Sequence, residues 1–471
     1  RDGDLLRVPT AGGEALLIAE NAAQGPGATW GPRGSIVYST AWLGGLAEMP
    51  ADGGAARQLT TPDAAQGERG HWWPQFLPGG RAVLFTVWRA GSGLNDARLA
   101  VLDLDSGRYR TLLPGSNAFY LRSGHLVYYR AGIHYAVPFD ADSLEVRGEP
   151  VRVLDEVREL APQGTRDTSL ALSPAGTLAF VTGHLMPEST FVWATADGEV
   201  EALPLPPRSY QDLRLSPDGR RAGVATLEAG RYVVRLVDLE RGVEQALQMT
   251  GSNWDLAWHP DGERLAFSSM RKGDFDVYWR DLAAGTPEEP LLDSETDEWP
   301  EDFSPDGSRL VYAESMPDGQ YEVRALELGG GKPQTLFPEQ ENVAVSPDGR
   351  WLAYGEGQTS VRPFGRPGAA VQVSRRGGGA PVWSRTEPLL LYRRGSEIVA
   401  SSYREEQGRF LVGEERVLVD VPGLRRYGRT FDLAPDGRIL ALVGDYPAAE
   451  IHVALGWDRE VARLLDGAAA R

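Results

Sequence analysis

The stretch DLRLSPDGRRAGV (Asp212–Val224) sets a tight turn between two short runs of alternating apolar residues. Pro217 presets φ for the second position of a type I turn, Asp218 tolerates the third, and Gly219 takes the positive φ that follows. Leu213 and Leu215 alternate before the turn, Ala222 and Val224 after it, so the stretch reads as a hairpin of period-2 strands. The pattern returns as DLAWHPDGERLAF (Asp255–Phe267), EDFSPDGSRLVY (Glu301–Tyr312), NVAVSPDGRWLAY (Asn342–Tyr354) and FDLAPDGRILAL (Phe431–Leu442). Degenerate markers stand at Gly31, Leu77 and Ser173, with weaker copies from Leu121 and Val382.

A second hairpin follows most copies, as in YVVRLVDLERGVEQAL (Tyr232–Leu247) and YEVRALELGGGKPQTLF (Tyr321–Phe337). Each unit therefore has four strands, and the units recur at roughly 45 residues, the signature of β-propeller blades. A helical solenoid of that period needs 3.6-residue patterning and tolerates little Gly and Pro, whereas this chain has 56 Gly and 33 Pro. The expected fold is all-β, with about ten SPDG-type blades. One ring holds four to eight, so two tandem propellers are expected. The first, residues 1–185, is incomplete at its N-terminal side; the second, residues 186–471, is a six-bladed ring. STFVWATADGEVEAL (Ser189–Leu203) either ends the first ring or supplies a closing strand to the second. The alternative is one large ring, in which the opening hairpin DLLRVPTAGGEALLI (Asp4–Ile18) completes a final blade around Ile451.

The formal charge of −18 over 471 residues argues against partners that present phosphate, so neither nucleic acid nor an anionic membrane surface is expected. The chain has no Cys, which removes thiolate and disulfide chemistry. No apolar run is long enough for a membrane span, and no signal peptide opens the sequence, which starts at Arg1.

Motifs for catalysis are sparse. The six histidines, His71, His125, His134, His184, His259 and His452, show no metal-ligand spacing, and no GxSxG elbow or kinase motif occurs. His259 replaces the Ser of the turn, which gives it a turn role. DSETDEWPED (Asp293–Asp302) is read as a solvated loop between blades, with no calcium-loop spacing. Arg375, Arg376, Arg393, Arg394, Arg425, Arg426 and Arg429 are read as surface charge, or else as a patch for an acidic partner. Five residues before the turn markers lie Trp72, Trp254 and Trp299, with Gln211, Glu341 and Arg429 at equivalent places. Large aromatics there either wedge adjacent blades together or form a ligand rim with Asp255 and Glu301. No metal or cofactor is expected.

These repeats resemble the TolB-like, WD-repeat-like propeller family. More narrowly, LAEMPADGGAARQLTTPDAAQGERGHWWPQFLPGGRAVLFTV (from Leu46), RSGHLVYYRAGIHYAVPFDADSLEVRGEPVRVL (from Arg122) and VEALPLPPRSYQDLRLSPDGRRAGV (from Val200) resemble the sensor propeller region of bacterial receptor-type serine/threonine protein kinases. The resemblance implies a non-catalytic recognition module on the periplasmic or extracellular side of a bacterial membrane, binding a protein, peptide or small polar ligand at a channel mouth. Two alternatives are a TolB-like periplasmic scaffold and the propeller domain of a hydrolase or peptidase. A kinase domain lying upstream is a further implication.

Overall fold

The computed structural model describes residues 4–19, 25–89, 97–155, 157, 169–182, 188–228, 231–272, 274–294, 296–316, 321–338, 342–426, 428–444 and 450–469. They are almost entirely β-strand and turn. The chain divides into two compact units, Arg1–Leu185 with Pro447–Arg471, and Met186–Tyr446.

The second unit contains six antiparallel sheets of four strands. The first sheet is Tyr210–Leu215, Arg221–Glu228, Arg231–Asp238 and Val243–Ala246; the second is Asn253–Trp258, Arg264–Ser269, Asp276–Asp281 and Glu289–Leu292. The third runs from Glu298–Phe303 to Gln334–Phe337, the fourth from Ala344–Val345 to Val371–Gln372, and the fifth from Gly379–Trp383 to Arg409–Asp420. The sixth is made from both ends of the unit: Phe431–Leu433 and Ile439–Val443 pair onward to Thr190–Ala194 and Val200–Ala202. Ser189–Leu203 thus supplies the closing strands of this unit. Innermost strands of successive sheets pack one on the next, and that of the sixth packs back on that of the first, so the circuit closes.

Alternation along each inner strand explains how the sheets hold together. The third and first residues before each turn face the preceding sheet, while the second leans toward the following one. Leu256 and Trp258 accordingly join Val234 of the first sheet, whereas Ala257 joins Phe303 and Leu310 of the third. The same rule places Val343 and Val345 with Val311 and Val323, and Ala344 with Trp383 and Tyr392. Six such clusters run around the unit, the last seam joining Phe191 and Leu440 to Tyr210 and Leu213. At about 1.5–3 kcal/mol per buried large apolar side chain, these seams are the main cohesive contribution.

The turns nest as well. Gly219 adopts φ 71° and its N–H donates to Ser216 O at 2.8 Å, as the sequence implies for a type I turn. A Cβ there would lie 2.5 Å from Cδ of Pro435 in the sixth sheet's turn, so glycine answers both dihedral and space. His259 plays a turn role: its ring sits under Gly307 of the next turn, with Nε2 3.1 Å from Gly307 O.

The first unit has an opening hairpin (Leu5–Arg7 with Leu16–Ala19), then sheets beginning at Ala28, Glu68, Ser116 and Leu170. Two expectations are corrected here. Pro447–Arg471 belongs with this unit and not with residues 186–446, because Ile451–Ala454 pairs with Leu178–Val181, and the helix Trp457–Ala469 buries Trp457, Val461 and Leu465 against Leu121, Val127 and Leu172. The opening hairpin does not complete a blade around Ile451; its strands pair with each other and pack on Ile36, Tyr38 and Met49. No helix among the described residues is long and apolar enough to cross a membrane.

Candidate functional site

In the first five sheets of the second unit, a β-bulge or a left-handed residue stands a few positions before the turn that follows the inner strand. Asp212, Asp255 and Asn342 have φ of 46°, 47° and 45°, a region that Asp and Asn enter more readily than other side chains. The bulge interrupts sheet pairing, and backbone amides beside it are taken by carboxylates of the neighbouring sheet. Leu256 N donates to Asp212, Val343 N to Glu301 Oε2 at 2.9 Å, Val345 N to Asp302 Oδ2 at 2.8 Å, and Leu215 N to Asp432 Oδ2 at 2.8 Å. These bonds staple the first sheet to the second, the third to the fourth and the sixth to the first.

Two guanidiniums cross the same space. Arg214 donates through Nε to Leu256 O at 2.9 Å and through Nη2 to Glu301 O at 3.0 Å, two sheets away. Arg429 donates to Glu301 O at 2.9 Å, to Val343 O at 2.6 Å, and to the Glu301 carboxylate. Together they form a polar floor across the centre of the unit.

Above that floor, on the side of the turns, lies a cavity of about 330 Å³. Its wall contains the residue two before the turn from every sheet: Arg214, Ala257, Asp302, Ala344, Val382 and Asp432. Pro217, Pro260, Pro305 and Pro347 of the four turns form a collar. Trp258 and Trp383 are fixed in the wall by indole N–H bonds to Arg214 O (3.1 Å) and Ala344 O (3.0 Å). The fifth sheet's marker is SRTE, so Arg385 stands where the others have proline. Its Nη1 donates to Pro217 O at 2.6 Å, reaching past the sixth sheet to the first.

Burial dominates the electrostatics. It raises the Asp212, Asp302 and Asp432 carboxyls above their ordinary range, against the pull of the staple amides and nearby arginines. Glu301 is pushed up to about 8 by burial, with Asp212 and Asp302 adding repulsion. Asp255, held by Ser268 Oγ at 3.1 Å, rises well above the carboxylate range through burial and then through Asp212 and Glu301. The Glu301–Arg429 ion pair and the upward push on Glu301 oppose each other.

The residues singled out from spacing separate into groups. Asp255, Glu301 and Arg429 come together at the floor. Gln211 accepts from Arg425 Nη2 at 3.4 Å. Trp254 and Trp299 belong to an aromatic run between sheets, Tyr232–Trp254–Phe275–Trp299–Tyr321, with neighbouring centroids 4.4–5.8 Å apart. Trp72 belongs to the first unit and is 1% exposed, stacked on Trp88 with its N–H on Trp42 O, so it cannot form a rim. Glu341 lies outside the described residues. Two further readings are corrected: Arg393, Arg425 and Arg429 are buried instead of superficial, and Glu298, Glu301 and Asp302 of the acidic stretch are not a solvated loop, since they lie on the third sheet's inner strand. Spacing missed Arg214, Asp302 and Asp432, which lie at one constant offset from the turn; Arg385 was visible as a break in the proline pattern.

Residues 208–384 match the family profile of the TolB beta propeller domain. The chain carries a TolB-like β-propeller. The matched stretch runs from the edge of the first sheet to the turn of the fifth, and so includes Arg214, Glu301 and Asp302. Among relatives, an uncharacterized protein of Agrobacterium fabrum is 28% identical over 153 residues, 30% of this chain and 52% of that protein. A TolB homolog of Chlorobium luteolum is 29% identical over 118 residues, 25% of this chain and 26% of that protein. The chain thus spans about half and about a quarter of the length of these curated relatives. Among solved structures, TolB from Acinetobacter baumannii shares 13% identity at a TM-score of 0.37, covering 71% of this chain and 80% of that one.

Proposed function

We propose that this propeller is a non-catalytic recognition module that takes a peptide segment of a partner protein into the turn-side cavity. The observation that carries this reading is the cavity itself. At about 330 Å³ it falls in the range of ligand sites, and its wall combines proline and indole surface with the fixed polar groups Arg214, Glu301, Asp302 and Asp432. Its carboxylates hold backbone amides or arginines, which suits positioning more than proton transfer. The proline collar and two immobilised indoles offer rigid apolar surface that loses little entropy on binding. The A. baumannii and C. luteolum proteins carry the TolB name, and a scaffold role on the periplasmic or extracellular side accords with that likeness. The narrower sensor role beside a kinase rests on the Arg122–Leu154 resemblance, and the gene sequence upstream of Arg1 tests it.

Because the chain contains no Cys, a single thiol can be placed at will. Pro260→Cys puts it on the collar, and Val243→Cys on an exposed outer strand. Peptides selected from a random library on the unmodified protein should lose binding when the collar thiol carries a bulky maleimide and keep it when the outer thiol does. Equal binding to both labelled proteins refutes the cavity as the site.

A further inference from the structure

Arg385 and two matched carboxylates line the cavity. Asp302 and Asp432 stand on the third and sixth sheets, opposite one another in a circuit of six. Their surroundings match: each accepts from its own following amide at Oδ1 (Phe303 N and Leu433 N, both 2.8 Å) and from the next sheet's amide at Oδ2, also at 2.8 Å. Both carboxylates are thus immobilised and desolvated at the cavity wall, with lone pairs left over. The cation nearest the mouth is Arg385, whose charge helps hold both carboxyls down against the larger upward effect of burial. Its anchorage is slight. Arg385 is exposed, and one bond ties it to Pro217 O, on a turn belonging to a different sheet. The other arginines of the cavity are held differently: Arg214 reaches two carbonyls on two sheets, and Arg429 two carbonyls and a carboxylate.

We propose that the peptide enters through a guanidinium or ammonium side chain, which takes the seat between Asp302 and Asp432, and that Arg385 is a built-in competitor displaced as it does so. This rests on the peptide-recognition reading above and adds the chemical class. A cation is the favoured charge because, among the groups lining the cavity, Asp302 and Asp432 face one guanidinium besides Arg385, that of Arg214, whose donors already meet Leu256 O and Glu301 O, and because a cleft focuses the field of the charges in its wall. A guanidinium fits best, since its planar fork can address a carboxylate while its stem lies along Trp258, Trp383 and the prolines. When Arg385 swings out, Pro217 O is freed as a further acceptor.

The test uses the full chain, titrated calorimetrically with two sets of blocked hexapeptides that are identical except for a central Arg or a central Glu. The expected result is binding of the Arg set, tightened about tenfold in Arg385→Ala by loss of the competitor. In the same Arg385→Ala background, Asp432→Asn should return the affinity to the unmodified level or below. Unchanged or weaker binding by Arg385→Ala, or Glu-centred peptides binding as well as Arg-centred ones, overturns the inference. If Glu-centred peptides bind and the collar label blocks them, peptide recognition stands and the cation seat falls. If neither set binds either protein, both fall. Arg385 is exposed, so its removal leaves the fold intact, and a melting curve of each variant separates lost binding from lost structure.

Discussion

Glu298 offers the sharpest test of the electrostatics. Its side chain begins the third sheet, 2% exposed, and is pushed from about 4.5 to about 8 by burial first, then by Glu314, Asp276 and Asp274, while Ser294 works the other way. A raised acid contributes stability that is fully present below its unfolded value and is lost as pH climbs to the folded value. The difference of about 3.5 units, at about 1.4 kcal/mol each, sets an upper limit near 5 kcal/mol for the loss between about pH 4.5 and 8. Glu298→Gln keeps the shape and removes the titration. Denaturant midpoints of the full chain should therefore fall from about pH 5.5 to 8.5 in the unmodified protein and fall less in the variant, which becomes the more stable of the two at the alkaline end. Parallel midpoints for the two proteins across that range would show that Glu298 is charged in the fold and refute the reasoning.

Three further outcomes follow from the geometry. Gly307→Ala drives a Cβ into the His259 ring at φ 70° and should cost about 2–3 kcal/mol, whereas Gly437→Ala, at φ 87° with open space around it, should cost only about 1 kcal/mol, both read from unfolding midpoints. Arg429→Met leaves Glu301 buried without its cation and should cost about 3–5 kcal/mol; adding Glu301→Gln should recover part of that loss, as a double-mutant cycle would report. Asp432→Asn weakens the staple from the sixth to the first sheet and should accelerate amide exchange at Leu215, while Leu326, distant in the third sheet, keeps its protection.

Much of the fold was legible because a propeller repeats its turn. Pro217, Asp218 and Gly219 spell one hairpin, and each copy adds a sheet with the same alternation. The closure was less legible. Thr190–Ala194 and Ile439–Val443 lie about 250 residues apart, and no local pattern joins strands across such a distance. The assignment of Ile451–Ala454 failed for the same reason, since a four-residue strand fits either unit by pattern and only its pairing with Leu178–Val181 decides. At the site, Asp255, Glu301 and Arg429 were reachable by counting back from the turn. Arg214, Asp302 and Asp432 were hidden because an alternating strand normally gives that position to the wall between sheets. Only when the six copies are superimposed does one Arg and two Asp among Ala and Val stand out. Trp72 misled through the same counting: equal offset does not mean equal exposure, and its indole was already taken by Trp42 and Trp88.

The closure of the second unit has a consequence for how the chain is threaded. Its entry and exit, Thr190 and Val443, are paired neighbours in the sixth sheet, and the residues that flank it outside, Val181 and Ile451, are paired neighbours too. In chain order the propeller is a guest inserted between two paired strands of its host. Joining Val181 to Ile451 by a short turn would leave the pairing of Leu178–Val181 with Ile451–Ala454 uncut, and the guest so removed would have its two ends already paired at Thr190 and Val443.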